Sequence, residues 1–100
     1  MPKAQIAPFK RTLFHGMKGS EVESVQTWLS ELNEYYNFYP YHNINPTGYY
    51  GTFTMSFVKK FQSFVELPPS GVFDFKTYQF VQARYGNMLH WYAKSAKVSY

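Results

Sequence analysis

The residues best suited to bind a ligand lie between positions 35 and 51, where the sequence reads YYNFYPYHNINPTGYYG. This stretch is too interrupted by proline for an ordinary core segment and too aromatic for an ordinary solvated loop. Tyrosine combines a flat apolar face with a polar tip at low side-chain entropy, while Asn and His add hydrogen-bonding groups. Such faces stack on the C–H groups of sugar rings. The sequence therefore predicts ligand contacts from Tyr39, Tyr41, His42, Asn43 and Tyr49, and the alternative is that these side chains only pack the loop onto the helices.

The residues available for catalysis are few. The sequence has no cysteine, and His15, His42 and His90 lie in separate segments without the spacing of metal ligands. A glycosidase needs two carboxylic acids across a cleft, whereas four of the six acidic residues fall on one predicted helix or directly after it. We therefore expect no catalytic residue, no metal and no cofactor, and we predict that the protein is not an enzyme.

Length and charge narrow the classes of partner. A chain of 100 residues forms one small domain. Its net charge of +4 comes from scattered basic residues, which favours a solvated surface over a nucleic-acid interface. No apolar stretch is long enough to span a membrane, and the first residues lack the apolar region of a secretory signal peptide. We expect neither a membrane nor a nucleic acid as partner.

Apolar residues at helical spacing predict the first two helices. The first is expected over about residues 21–33, with a capping box in which Ser20 and Glu23 satisfy N–H groups of the first turn. A long aromatic connection follows, in which prolines exclude a helix. The second helix is expected over about residues 52–65, capped by Gly51 or by its first residue.

The last part of the chain predicts one or two further helices. Asp74 is the expected N-cap of a third helix, and Gly86 suits the position just after its end. A fourth short helix capped by Asn87, or alternatively a disordered or strand-like end, is expected for the residues that follow.

Two segments offset by 23 residues repeat one pattern. TGYYGTFTMSFVKKFQ from Thr47 aligns with SGVFDFKTYQFVQARY from Ser70. Each copy supplies a turn glycine, a cap, a threonine in the first helical turn and an apolar stripe. Each also has an aromatic residue just before the cap, which we expect to pack beneath the helix start and call the aromatic plug. The expected fold class is all-α, a compact three-helix bundle with a duplicated turn–helix unit. The aligned pairs are Gly48 with Gly71, Tyr50 with Phe73, Gly51 with Asp74, Thr54 with Thr77, and Val58 with Val81.

These positions resemble the peptidoglycan-binding domain family, a three-helix module of bacterial and phage cell-wall hydrolases. Its pattern departs here in two places: Thr47 stands where the family usually has Asp, and the first connection between helices is longer and richer in tyrosine. The resemblance implies an N-terminal arm over residues 1–12, a peptidoglycan-binding-like domain over 13–86 and an extension over 87–100. The matching residues are Leu13, Gly16, Gly19, Val22, Val25, Gln26 and Leu29, then Gly48, Tyr50, Gly51, Thr54, Val58, Phe61 and Gln62, then Leu67, Gly71, Asp74 and Thr77.

The resemblance implies a non-catalytic module that binds peptidoglycan or a muropeptide. A hydrolase or a virion protein is the expected protein partner, and the expected location is the cell wall or a phage virion. The alternative is a protein–protein docking or structural module on the same fold. A nucleic-acid binder is disfavoured because the third helix carries only Lys76 and Arg84 as cations before Gly86.

Overall fold

The computed structural model describes the backbone of residues 6–98 and the side chains of residues 6–91. Three α-helices follow one another: α1 (Ser20–Tyr36), α2 (Thr52–Phe64) and α3 (Phe75–Val98). α1 packs against both other helices. Residues 6–98 contain no β-strand, and two isolated antiparallel bridges, Leu13 with Phe73 and Lys18 with Tyr49, tie the segment before α1 to the later turns. The predicted all-α three-helix bundle is confirmed.

The core forms where the apolar stripes of the three helices meet. Leu29 and Leu32 of α1, Phe57 and Phe61 of α2, and Val81 of α3 are completely buried. Burying each such side chain contributes about 1.5–3 kcal/mol, so these stripes supply most of the drive for packing. Tyr36 and Phe38 close the end of this core. The rings of Phe57, Phe61 and Phe64 surround that of Phe38, and the Tyr36 hydroxyl donates to the Arg84 carbonyl at 3.1 Å.

The start of α1 differs from the predicted capping box. Gly19 is the N-cap residue, Ser20 is already helical, and no side chain caps the first turn. The cause is the pairing of the preceding segment: the Gly19 N–H donates to the Gly48 carbonyl at 2.9 Å, which sets the helix start one residue earlier. The capping-box prediction for Ser20 and Glu23 is therefore wrong. α1 also runs three residues beyond the predicted end, to Tyr36.

The starts of α2 and α3 agree with the prediction. Gly51 is the N-cap residue of α2, although it has no side chain to satisfy the first turn. At α3, the Asp74 carboxylate accepts from the Thr77 N–H at 2.9 Å and from its hydroxyl at 2.7 Å. This contact satisfies one of the N–H groups that every helix start leaves unpaired.

The end of α3 differs from the prediction. The helix continues through Gly86 to Val98, so Gly86 does not terminate it and no fourth helix begins at Asn87 within residues 6–98. Tyr85 and Met88 are both buried, which continues the apolar stripe of α3 past the glycine. A glycine inside a helix costs about 1 kcal/mol relative to alanine. Burial of Met88 offsets this cost.

In each copy of the repeated unit, a buried glutamine from the preceding helix holds the turn. Gln62 of α2 is 1 % exposed, and its amide holds the turn before α3. Its Oε1 accepts from the Gly71 N–H at 2.9 Å, and its Nε2 donates to the Val72 carbonyl at 3.0 Å. Nε2 also lies 2.9 Å from the Thr77 hydroxyl and 3.2 Å from the Ser70 hydroxyl. We call this arrangement the second glutamine clasp.

Gln26 of α1 makes the equivalent first glutamine clasp on the turn before α2. Its Oε1 accepts from the Gly48 N–H at 2.8 Å, and its Nε2 donates to the Tyr49 carbonyl at 2.9 Å. Nε2 also reaches the Thr54 hydroxyl at 3.0 Å and the Thr47 hydroxyl at 3.4 Å. Gly48 and Gly71 both have φ near +80°, a conformation that glycine adopts without strain. The two turns are therefore the same structure built twice.

The aromatic plugs complete each unit. Tyr50 and Phe73 are buried beneath the starts of α2 and α3, as predicted. The Tyr50 hydroxyl donates to the Gly71 carbonyl at 2.6 Å, which links the first unit to the second. Burial raises the pKa of Tyr50 far above its ordinary value.

The N-terminal arm packs on α3. Ile6 is buried, and the Tyr78 hydroxyl donates to the Ala7 carbonyl at 2.8 Å. The Phe9 ring contacts those of Phe75 and Tyr78, with centroids 5.3 and 5.4 Å apart. From Ile6 onward the arm is therefore part of the packed structure.

Candidate functional site

A groove lies between the long connection and the start of α2. It has a volume of about 320 Å³, and we call it the loop groove. This volume is at the small end of the range for small-molecule sites, about 300–1,000 Å³. Its lining residues come from one point of α1, the connection and the first turn of α2: Gln26, Asn43, Asn45, Thr47, Tyr49, Gly51, Thr52, Phe53 and Thr54.

Three residues of the loop groove carry polar groups that make no hydrogen bond within residues 6–91. These groups are the Asn45 amide, the Tyr49 hydroxyl and the Thr52 hydroxyl, and all three residues are exposed. The groove also contains Gln26 and Thr54, but the first glutamine clasp engages their polar atoms. The groove therefore offers one amide and two hydroxyls for hydrogen bonds to a ligand.

Tyr49 occupies a defined place in the loop groove. Its ring lies over Gly51, where an added Cβ would come within 2.9 Å of the ring atom Cε2. The Lys18 ammonium lies 5.7 Å from the ring centre. The Tyr49 side chain is nevertheless 44 % exposed, because it projects from the surface beside α2. The absence of a side chain at Gly51 thus sets the position of the ring.

A second group of exposed aromatic residues borders the groove. Tyr39, Tyr41, His42 and Phe53 form the aromatic rim, in which Tyr39 contacts each of the other three at 5.6–6.2 Å between ring centroids. His42 also lies 5.4 Å from Phe53. Tyr41 is 79 % exposed, whereas Tyr39 is half-buried against Phe57. Because Phe53 belongs to both, the rim and the loop groove form one continuous surface.

Two asparagines fix the path of the connection. Asn33 at the end of α1 accepts from the Tyr39 N–H at 2.7 Å and donates to the Tyr39 carbonyl at 3.0 Å. Asn43 accepts from the Ile44 N–H at 2.9 Å and donates to the Ser30 carbonyl at 3.2 Å. The Asn33 Nδ2 also donates to the Asn43 Oδ1 at 3.4 Å. The connection is therefore attached to α1 at both sides of its aromatic tip.

The structure divides the five predicted site residues between these two features. Asn43 and Tyr49 line the loop groove, whereas Tyr39, Tyr41 and His42 lie in the aromatic rim. Sequence reasoning did not select Asn45, Thr52 or Phe53 for the site. Asn45 lies in the aromatic stretch over residues 35–51, and the sequence assigns Thr52 only to the start of α2. Phe53 has the spacing of a core residue but is 39 % exposed, because the first turn of α2 extends beyond the core.

Residues 6–91 contain other clefts besides the loop groove. A cleft of about 230 Å³ between α1 and α3 contains Glu23, Trp28 and Glu31, and the Tyr85 hydroxyl donates to Glu31 there at 2.7 Å. Residues 6–91 contain no group of three or more His, Cys, Asp or Glu side chains placed to hold a metal ion. Within residues 6–98, no helix combines the length and apolar character needed to cross a bilayer.

Comparison with known proteins identifies the family. A search of curated proteins finds no match to the chain. The sequence model of the peptidoglycan binding domain matches residues 18–81, from the segment before α1 to the buried Val81 of α3. This match spans both glutamine clasps, both turn glycines, all of α1 and α2, and the first two turns of α3. The chain therefore belongs to the peptidoglycan binding domain family.

Proposed function

We propose that the protein is a non-catalytic module that attaches to peptidoglycan through the loop groove and the aromatic rim. The observation that carries this proposal is the set of free polar groups on Asn45, Tyr49 and Thr52 beside the exposed ring of Phe53. Aromatic faces next to hydrogen-bonding groups suit a ligand with apolar C–H faces and polar substituents. The family membership supports peptidoglycan as that ligand.

The predicted site residues take different roles in this proposal. Tyr49 lies in the groove and Tyr41 and His42 lie in the rim, where their exposed rings are available to a ligand. Tyr39 supports the rim from beneath because its ring packs against Phe57. The Asn43 amide already makes hydrogen bonds to three partners, so we assign it to positioning the connection.

The proposal that the module is non-catalytic rests on the positions of its carboxylates. Glu21 lies 3.1 Å from Arg11, Glu31 accepts from Tyr85, and Asp74 caps α3. None of these residues lines the loop groove. A glycoside hydrolase that uses the usual pair of acids would need two carboxylates facing each other across the bound sugar. We expect the purified protein to release no soluble fragments from cell walls.

Retention on purified, protein-free sacculi tests the binding proposal. The full chain is mixed with Gram-positive and Gram-negative sacculi and sedimented, and the bound fraction is measured. Tyr49→Ala removes a groove ring, and Phe14→Ala removes a ring that is 51 % exposed but does not line the groove. We expect retention of the original protein and of the Phe14 variant, with about fivefold to tenfold weaker binding for the Tyr49 variant. No retention on either type of sacculus in low salt would refute the function.

We also propose that the module acts beside a cell-wall hydrolase or within a phage virion. The resemblance to modules of bacterial and phage cell-wall hydrolases supports this proposal. Co-sedimentation of a hydrolase encoded by a neighbouring gene, dependent on this protein and on sacculi, is the expected result. Independent attachment of that hydrolase to sacculi would contradict the targeting role.

The second candidate function is protein docking. Phe75 is 52 % exposed and lies on α3, away from the loop groove, and aromatic residues are enriched at protein interfaces. This function predicts a stable dimer or complex that Phe75→Ala weakens. A strictly monomeric protein that binds sacculi would favour the first function.

A further inference from the structure

The charge of the loop groove bears on which part of peptidoglycan it contacts. All nine lining residues are uncharged. The Lys18 ammonium lies 5.7 Å from the Tyr49 ring centre, but Lys18 does not line the groove. A peptide with free carboxylates and amines would lose hydration there without gaining a charged partner, and this loss is unfavourable. The groove is therefore poorly suited to the charged stem peptide.

The free polar groups of the loop groove are suited instead to a neutral ligand that forms hydrogen bonds. The Asn45 amide can both donate and accept, as can the hydroxyls of Tyr49 and Thr52. An N-acetylated sugar presents an amide N–H, an amide carbonyl and several hydroxyls, all of them neutral. Its ring also carries C–H faces that pack on exposed aromatic rings such as that of Phe53, which is 39 % exposed. Each class of free group in the groove thus has a counterpart on such a sugar.

We propose that the loop groove binds the neutral N-acetylated glycan strand of peptidoglycan and leaves the charged stem peptide in solvent. This inference rests on the proposed function. Asn45 is the specificity-determining residue because its amide can pair with the acetamido group of the sugar. Thr52 and Tyr49 bind ring hydroxyls, and Phe53 packs against the sugar face.

Competition separates the two parts of the ligand. The full chain is first bound to intact sacculi. Either glycan strands freed of stem peptides, with their lactyl carboxylates capped as amides so that the strands are neutral, or isolated stem peptides are then added. We expect the glycan strands to displace the protein and the stem peptides to have no effect. Because the recognised groups are neutral, retention should change less than about twofold between roughly 0.05 and 0.5 M NaCl, a range over which screening weakens exposed charge pairs.

Two exposed residues provide matched variants. Asn45→Ala should weaken binding about fivefold to twentyfold, the effect of losing one or two hydrogen bonds to a neutral ligand. Lys18→Ala should change binding less than twofold. Circular dichroism and thermal unfolding of both variants should match those of the original protein, because neither side chain makes a hydrogen bond within residues 6–91.

The outcomes distinguish this inference from the proposed function. Displacement by stem peptides, loss of retention in salt or a strong effect of Lys18→Ala would overturn the glycan assignment while leaving attachment to peptidoglycan intact. Failure to bind intact sacculi would overturn both. Displacement by glycan strands, with the expected loss in the Asn45 variant alone, would support both.

Discussion

Replacing Gln62 by methionine tests whether the second glutamine clasp holds the fold together. Methionine keeps the length of the side chain but removes its donor and its acceptor. The buried Gly71 N–H then loses its partner. The Val72 carbonyl and the Thr77 hydroxyl each lose one hydrogen bond but keep another, to the Asp74 N–H and to the Asp74 carboxylate. A hydrogen bond contributes about 1 kcal/mol net, and a buried group left unpaired costs about 1–3 kcal/mol.

Gains from the more apolar side chain offset part of this loss. We therefore expect Gln62→Met to lower the free energy of unfolding by about 3 kcal/mol, within a range of about 2–4 kcal/mol. For a domain of this size the midpoint of thermal unfolding should fall by about 12–24 °C. In urea the midpoint should fall by about 1–3 M at an unchanged slope.

Urea unfolding followed by circular dichroism provides the measurement, and Gln79→Met is the matched control. Gln79 lies on the exposed side of α3, so the same substitution there should change stability by less than about 0.5 kcal/mol. A double-mutant cycle with Thr77→Val should give a coupling energy of about 0.5–1.5 kcal/mol, because the two side chains share one hydrogen bond. A loss below about 1 kcal/mol for Gln62→Met, or no coupling, would refute the role of the clasp.

Three further substitutions test other contacts. Gly51→Ala adds a Cβ within 2.9 Å of the Tyr49 ring, at backbone angles that alanine adopts readily. Binding to sacculi should therefore weaken several-fold, while the free energy of unfolding changes by less than about 1 kcal/mol. Unchanged binding would contradict the role of the ring position. Gly86→Ala should raise the free energy of unfolding by about 0.5–1 kcal/mol, since its Cβ would meet open space within α3, and a decrease would show strain there. Burial raises the pKa of Tyr50 above the unfolded value of 10.0, so its contribution is present below about pH 10 and is lost above it, at about 1.4 kcal/mol per pH unit. Urea unfolding at pH 9–11 should show that Tyr50→Phe lowers stability at pH 9 but removes this part of the alkaline loss; equal slopes would refute the assignment.

Local patterns in the sequence predicted the scaffold well where neighbouring residues decide the structure. Asp74 is a cap because its carboxylate reaches the N–H three residues later. The repeat predicts Tyr50 and Phe73 as plugs beneath the helix starts, and both are buried. Predictions failed where distant contacts compete with a local pattern. The Ser20 capping box does not form because the hydrogen bond from Gly19 to Gly48 sets the start of α1. The helix does not end at Gly86 because the apolar stripe of α3 continues past it.

The candidate site was less predictable because side-chain amides, rather than a local pattern, determine the path of the connection that carries it. Nothing in the spacing of Asn33 and Asn43 indicates that they contact each other and attach the connection to α1. Because the sequence does not give the backbone path of the connection, it could not show that Tyr49 lies in the groove and Tyr41 in the rim. It also could not show that Phe53 belongs to the groove and to the rim. The composition of the stretch predicted a binding surface, but its division into two features depends on the backbone.

The two glutamine clasps also bear on how this fold can diversify. The first clasp joins Gln26 to Thr47 across 21 positions, whereas the second joins Gln62 to Ser70 across only eight. The same hydrogen bonds therefore close around chains that differ in length by 13 residues. Since loop length adds little to the cost of closure, the tip of the first connection can lengthen, shorten or change composition without altering the framework that holds its ends. The tip between Tyr39 and Asn43 is thus a natural exchange position, where a new recognition surface can be installed while Phe38 keeps its place in the core.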